Sequence, residues 1–546
     1  MRGTPYARMA VAAMVLGGPA NAWAGGFEFP TNGTEALGRG GAFVAKADDG
    51  SAMEYNIAGL ASQEGFRLTI DANTIIHDFS FTSAGFVQSD QMTGTRMPVS
   101  GAAGMPGPTM HDSDRLFFAP MAAASFDLGR LSRKLKNLVI GLGVFGPSSV
   151  GNHNYGVGDP ITDKNNPNNT CHQAADVNGA PYQTCDDQPA TTTGSPTGMP
   201  APSRYDIAKT NLLIVLPTLG IAYRPHPMID IGLGWQMVFD SFDLSNANVV
   251  SGVQGNNDAY GRIRTSGNSF SSSSSQIQSS DYQFKPGLGS FGWMLSVMLH
   301  PTNWIDIGAT YRTPITVHSE GTLHPISPPS FPKVLPDSAA TFTSTLPMWL
   351  RAGARVVKRY SDGTERADLE LDFVWENWAS EQADHVHAED LTGQNFLWPT
   401  GTLDADIIHT YRDTYGVRLG GAYNYRLSDT RRLIGRLGMF YDSSSTVSHN
   451  TRLDFNTFDK LGLTVGGGFK MKGFTLNFAY AYIYTPTRTV DDSTTYAISA
   501  GSGSTISPGQ QVYYVGNGVY SGYMHIVSVG LTFNFSEFKA AGLFPD

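Results

Sequence analysis

The sequence predicts an all-β protein: a transmembrane antiparallel β-barrel of about fourteen strands with an N-terminal hatch, or plug, inside the lumen. Three observations point there: period-2 runs of roughly ten residues or more, connectors that alternate between short and long, and an export leader ahead of the first run. From 228 to 240, Ile229, Ile231, Leu233, Trp235, Met237 and Phe239 alternate with Asp230, Gly232, Gly234, Gln236, Val238 and Asp240. From 473 to 484, Phe474, Leu476, Phe478, Tyr480, Tyr482 and Tyr484 alternate with Thr475, Asn477, Ala479 and Ala481. One face suits lipid and the other does not. Strands of soluble sandwiches show the same alternation over only about five or six residues.

Residues 1–24 hold Arg2 and Arg8, an apolar stretch at 9–16, and Ala22-Trp23-Ala24, the small-residue pattern of a cleavage site. They read as a signal peptide, with a mature start near Gly25. Beyond it no uninterrupted apolar run approaches the ~20 residues of a spanning helix. The mean hydropathy of −0.19 is what a barrel with a polar interior gives on averaging, so it does not argue for a soluble protein. Although 546 residues would fill several soluble domains, the strand pattern runs on without a linker, giving one barrel at 65–535 after a hatch at 25–64. A net charge of −10 does not favour nucleic-acid binding. Cys171 and Cys185 fall in one long polar connector; in an exported chain they are expected to form a loop-stapling disulfide.

In order, the strand candidates are 65–81, 115–128, 136–148, 207–224, 228–240, 284–300, 303–318, 346–358, 366–378, 413–425, 432–442, 460–471, 473–484 and 522–535. The connectors 129–135, 225–227, 301–302, 359–365, 426–431 and 472 are tight, whereas 82–114, 149–206, 241–283, 319–345, 379–412, 443–459 and 485–521 are long. Strict alternation is what a barrel with both ends on the periplasmic side requires. The serine run at 271–275 reads as surface loop. Asp384, His385, His387, Glu389 and Asp390 cluster in another loop, where a solvated polar segment explains them as well as a metal does; no metal or cofactor is expected.

Residues 25–64 are too polar and glycine-rich for a lipid-facing strand and too apolar for a loose tail, which suits a segment packed in the lumen. They include Gly26-Phe27, Ala36-Leu37-Gly38-Arg39, Ala47-Asp48-Asp49 and Asn56-Ile57-Ala58-Gly59-Leu60. With Tyr311-Arg312-Thr313-Pro314, Glu320-Gly321, Leu346-Pro347, Leu350-Arg351-Ala352-Gly353 and the Trp375/Trp378 strand, these pieces resemble the FadL family of outer-membrane transporters for long-chain fatty acids and other hydrophobic compounds. Asn56, Ile57, Ala58 and Gly59 look like that family's Asn-Pro-Ala-Gly hatch motif, with isoleucine in place of proline and therefore a less rigid turn. The resemblance implies passive uptake, most simply of long-chain fatty acids: capture among the loops, a lumenal pocket, a hatch that shifts, and lateral exit into the bilayer. Aromatic hydrocarbons or alkanes are the alternative cargo. It further implies a monomer in contact with outer-membrane lipid and lipopolysaccharide.

The family pattern puts the lateral gate in the third strand, where Gly141, Gly143, Gly146 and Pro147 allow a kink or bulge; glycine used for barrel curvature explains the same residues. A fatty-acid carboxylate would need a lumenal cation. If Leu346, Met348, Leu350, Ala352 and Ala354 face lipid, then Trp349, Arg351 and Arg355 face inward, and Arg418 and Arg436 do so by the same parity. Asp368, Glu370, Asp372 and Glu376 share the inner face of the next strand, so a structural ladder of charges is the competing role for these arginines. Phe27 and Phe29 could reach the pocket or anchor the hatch. Residues 536–546 form a C-terminal periplasmic extension. A rim-site hydrolase and a loop-based adhesin or receptor are the other functional classes; no nucleophile motif supports the first, and His77, His300 and His525 read as interface or turn residues. No catalytic residue is expected.

Overall fold

The computed structural model describes residues 32–84, 86–88, 96–98, 109–146, 152–155, 160–163, 166–175, 181–185, 209–250, 255–257, 263–265, 272–278, 291–326, 338–389, 401–453, 457–495, 499–500 and 516–540. The leader, Phe27, Phe29 and Pro147 lie outside the described residues.

Fourteen strands close a ring in which each neighbour is antiparallel. They are β1 (Phe66–Ser83), β2 (Leu116–Asp127), β3 (Leu138–Phe145), β4 (Lys209–His226), β5 (Ile229–Met237), β6 (Phe291–Thr302) and β7 (Ile305–Arg312). The second half comprises β8 (Trp349–Arg359), β9 (Glu365–Glu376), β10 (Thr414–Ser428), β11 (Arg431–Asp442), β12 (Lys460–Met471), β13 (Phe474–Val490) and β14 (Gly518–Asn534). The seam between β1 and β14 is paired continuously from Arg67 opposite Asn534 to Ser83 opposite Gly518. A closed ring leaves no wall edge unpaired in hydrocarbon, which is why strands can span here. Among the described residues no helix is long and apolar enough to cross a membrane.

The alternation has the expected physical meaning. In β5, Ile229, Ile231 and Leu233 are exposed on the outer wall, whereas Asp230 and Gln236 are buried in the lumen. Outward Ile70, Leu116, Leu142, Leu371, Leu437 and Leu463 continue the apolar belt. Aromatic side chains gather at both ends: Phe66, Trp304 and Tyr425 near the short turns, and Trp293, Tyr484 and Tyr523 toward the long loops. Outward His525 is accommodated there by Tyr480, whose hydroxyl lies 2.7 Å from its Nδ1.

Two expectations change. The long connectors are not all loop: Ile315–Ile326 pairs with Ser338–Leu346, and Ala383–Ala388 pairs with Leu403–Ile408, raising the wall beyond the lipid belt. Polar strands lack a lipid-facing period, so alternation does not reveal them. His385 and His387 sit in this raised wall, each opposite its own acid, Asp406 and Asp404, at 2.5 Å. Second, Leu346 does not face lipid; it is buried, and Pro347 with Met348 separates it from β8. Thr313-Pro314 interrupts the neighbouring strand at the same height, between Arg312 opposite Trp349 and Ile315 opposite Leu346. Proline cannot donate to the ladder, so the paired breaks bend the wall; Arg312 Nη2 bridges them by donating to the Pro347 carbonyl at 3.2 Å.

Inside the ring lie α1 (Thr34–Gly38), α2 (Ala52–Tyr55) and a 3₁₀ turn, Ile57–Ser62, nearly all buried. After β14 the chain forms a short helix, α3 (Phe535–Ala540), so Phe535 belongs to a helix and not to the last strand. Glu537 of α3 accepts from the Gly473 amide at 2.8 Å and from Asn534 Nδ2 at 3.0 Å, and Phe535 packs on Phe66 with centroids 5.1 Å apart. Leu437, near the middle of β11 and 71% exposed, provides a test of the membrane wall. Leu437→Arg is expected to cost about 2–4 kcal/mol, measured by reversible unfolding from lipid vesicles, while Leu437→Phe leaves stability nearly unchanged.

Candidate functional site: the hatch socket and lumen

Three inward acids of β9 hold the hatch. Asp372 Oδ2 accepts from the amides of Phe43 at 2.8 Å and Val44 at 3.0 Å, and Glu370 Oε1 accepts from Ala45 at 2.6 Å and Lys46 at 3.3 Å. Alternate residues of a strand share a face, so Glu370 and Asp372 meet the irregular segment 43–46 as a row of acceptors, with Asp368 next in line toward Arg39. The fully buried Arg39 donates to Asp368 and Glu370, each at 3.0 Å. Lys46 Nζ is 2.7 Å from Asp48 and 3.6 Å from both Glu35 and Glu365, and Glu35 pairs with Arg436 at 2.9 Å. Burial raises the Glu35 carboxyl, but Arg436, Lys46 and Arg39 outweigh it and hold the group down at about 2. Burial likewise opposes the charge on Arg39, and Asp368 and Glu370 reverse that, raising its pKa.

The hatch motif is seated by β5 and β6. Asn56 Oδ1 accepts from the Ala58 amide at 3.1 Å, while its Nδ2 donates to the Val44 carbonyl at 2.8 Å and the Val297 carbonyl of β6 at 3.2 Å. A Cβ on Gly234 would lie 2.2 Å from Ile57 Cδ1, and one on Gly232 would lie 2.5 Å from the Ala58 nitrogen. The wall glycines make a trough into which the turn fits. Ile57, standing where the family has proline, donates its amide to Ser296 Oγ at 3.3 Å. A hydrogen bond to the wall takes the place of the fixed φ.

Two apolar clusters line the interior. One joins Leu37 of the hatch to Ile75, Phe79, Phe117, Phe440 and Tyr520, among others, on the loop side. The other surrounds the hatch core, with Met53, Tyr55 and Ile57 packed against Phe145, Met294 and Trp349. An aqueous channel has a polar interior. Here greasy surface faces both outward and inward.

The expected cations are dispersed. Arg355 lies 2.5 Å from Glu365, 2.7 Å from Asp368 and 3.2 Å from Asp306, within the hatch network. Arg418 pairs with Asp442 at 2.5 Å and lies over the Phe440 ring. Arg351 stacks 4.1 Å above buried Trp349 and 5.5 Å from the Tyr55 ring, donates to the Glu54 carbonyl at 3.1 Å, and meets the Glu54 carboxylate at 3.8 Å. The interior roles of Arg39, Glu35 and Lys46 were not separable in sequence from ordinary surface charge; their signal is the three spaced acids on β9.

In the third strand, Gly141 and Gly143 remain regularly paired. A Cβ at Gly141 would lie 2.6 Å from Met53 Sδ, and one at Gly143 would lie 2.7 Å from the Phe145 ring, so both glycines make room in the lumen. Gly146 donates its amide to the Pro120 carbonyl at 3.2 Å, and the described pairing with β4 passes from Phe145 opposite Leu216 to Asn152 opposite Asn211, so seven positions here answer to five on β4. Cys171 and Cys185 stand directly opposite one another in the antiparallel pair Asn166–Ala175 and Pro181–Cys185.

A sequence profile of the family described as outer membrane protein transport protein (OMPP1/FadL/TodX) matches residues 192–535. The chain belongs to this family. Among solved structures, this FadL/TodX-family barrel is similar to a Pseudomonas aeruginosa FadL homologue, with a TM-score of 0.61 at 16% identity over 93% of this chain and 100% of the other. The P. putida toluene transporter TodX aligns with a TM-score of 0.55 at 13% identity over 93% and 99%. The Ralstonia pickettii toluene transporter TbuX aligns with a TM-score of 0.54 at 16% identity over 93% and 100%. No curated protein matches in sequence. The structural likenesses speak for the fold; membership of the family places the chain in the bacterial outer membrane among transporters of hydrophobic compounds.

Removing one partner from a buried ion cluster costs about 3–5 kcal/mol. Arg39→Met is therefore expected to loosen the hatch without unfolding the barrel, read as faster hydrogen exchange at residues 34–62 and a higher ion conductance in planar bilayers. The Glu35 carboxyl is depressed from 4.5 to about 2, so its stabilisation is full above about pH 4.5 and is lost as pH falls through about 2. The exchange-protection gap between wild type and Glu35→Gln should hold from pH 7 to 5 and close as the pH approaches 2.

Proposed function

We propose that this protein takes up uncharged hydrophobic small molecules, such as monoaromatic hydrocarbons, by passive diffusion from the loops through the lumen and out through the wall at the third strand. The observation that carries the reading is the apolar lining of the lumen on the loop side of the hatch and around it. Each methylene held in water costs about 0.8 kcal/mol, so an apolar solute follows such a lining. An exit near Phe145 is supported by the change of register against β4 between Phe145 and Asn152, up to which buried Phe145, Met121 and Leu216 carry the hatch-side apolar cluster. An uncharged cargo is favoured over a fatty acid because Arg355 and Arg418 each hold a carboxylate at 2.5 Å. Arg351 supports fatty acids as the second reading: its contact with Glu54 is longer, at 3.8 Å, and a ligand carboxylate would compete there.

The test is uptake of labelled toluene and labelled oleate by a Gram-negative host lacking its own fatty-acid channel, with and without this barrel. Toluene uptake is expected to rise and to be insensitive to Arg351→Gln. Oleate uptake that is lost in Arg351→Gln would establish the second reading, and a folded barrel moving neither would overturn both. Cross-strand opposition of Cys171 and Cys185 falls within the Cα spacing of a disulfide. The unreduced protein should carry no titratable thiol, and Cys171→Ser should expose one.

A further inference from the structure

The loop-side lumen holds a group of side chains that the transport reading does not use. His77 of β1, Asp112 ahead of β2 and His153 in the short strand Asn152–Asn154 each offer a ligand atom, and these atoms lie within 4.8 Å of one another. All three are buried, His77 at 0% exposure. Asp112 is oriented from behind: its Oδ1 accepts from the amides of Asp114 at 3.0 Å and Asn154 at 2.9 Å. That leaves Oδ2 pointing at His153 Nδ1, 2.6 Å away, and at His77 Nδ1, 3.6 Å away. Neither ring nitrogen of His77 has a hydrogen-bond partner, nor does His153 Nε2. A buried donor left without a partner costs about 1–3 kcal/mol.

Aromatic rings close the surroundings. Phe79 lies 5.3 Å from His77 and 5.7 Å from His153, and Tyr155 stacks on His153 at 6.3 Å. We infer that His77, Asp112 and His153 form a binding site for a first-row divalent cation of the zinc class. Two imidazoles and one carboxylate suit such an ion and not magnesium or calcium, which prefer all-oxygen shells. Ligands about 2.0–2.2 Å from a tetrahedral ion stand closer together than the present upper spacing, so the site tightens on binding. His153 then exchanges its hydrogen bond to Oδ2 for the metal, and Asp112 stays fixed by its two backbone donors, the outer-shell support that metal carboxylates usually have. The bound ion ties three chain segments: β1, the turn into β2, and the short strand Asn152–Asn154. Ser113 already reaches that strand, donating its amide to the Asn154 carbonyl at 2.9 Å. The site therefore holds the loop-side ends of these segments together. It stands independently of what the barrel carries.

The test uses the full chain, folded in detergent and stripped with chelator, titrated with zinc chloride by calorimetry and with cobalt chloride by visible absorption. One equivalent is expected to bind, with cobalt ligand-field bands and a raised melting temperature. His77→Gln and His153→Gln should each abolish the tight equivalent, whereas the His385→Asn/His387→Asn double variant, which removes the exposed histidine–acid pairs, should retain it. Absence of a tight equivalent in wild type would overturn the site, as would its survival in either single variant or its loss only in the double variant. Folding of each variant is checked by heat-modifiable migration. If one misfolds, Asp112→Asn and the wild-type cobalt spectrum decide: no imidazole-bound spectrum means no site.

Discussion

A buried guanidinium governs this structure. Arg39 sits between Asp368 and Glu370 with no solvent around it, and the segment that follows it has almost no regular hydrogen bonding of its own. The hatch is too short to build a core, so its amides need acceptors fixed by something stiffer. The inner face of β9 supplies them at a two-residue spacing. Buried ion networks of this kind contribute much to where a segment sits and little net free energy to its staying there, since desolvation offsets most of the attraction. That balance gives the hatch one seat held firmly in register, to which the apolar packing of Met53, Tyr55 and Ile57 against the wall adds its grip.

The same principle sorts the lumen into layers. Along β1 the inward residues run Arg67, Thr69, Asp71 and Asn73 from the periplasmic end, then Ile75, His77, Phe79 and Phe81 toward the loops. Charge is concentrated where the hatch docks, and apolar surface toward the loops. On β5, glycine in place of a side chain admits the Asn56 turn to within contact of the backbone. Charge from β9 and shape from β5 thus fix the hatch by unrelated means.

The sequence carried the fold with considerable detail, because spanning a membrane imposes a period-2 pattern on every wall strand, and the parity of connector lengths checks the count. It did not reveal the raised wall beyond the lipid belt, where Ile315–Ile326, Ser338–Leu346 and Ala383–Ala388 pair without a lipid-facing stripe, and it carried Leu346 outward because a proline break resets the alternation. The motif around Asn56 was legible as a side chain bonding nearby backbone, and Asn56 does so. The arginines were legible as inward-facing, with a ladder of charges as one of their two roles, but which carboxylate each one meets was not, since partner choice depends on which strands meet. For the same reason His77 and His153, far apart in sequence, gave no hint of each other. Gly141 and Gly143 were legible as gate or curvature residues, and the room they leave for Met53 and Phe145 was not.

The small helix after the last strand has a bearing on how the chain assembles. α3 touches the Gly473 turn ahead of β13 and the start of β1, so it joins residues from both ends of the polypeptide. Those partners come together only when β1 meets β14. The hatch precedes β1 in the chain and lies within the ring, so it must already be gathered inside as the two edge strands approach; the alternative is threading through a finished mouth. α3 then acts as a late latch across the seam, formed from residues that follow β14 and made possible only by contacts of great sequence separation, the slowest kind to form.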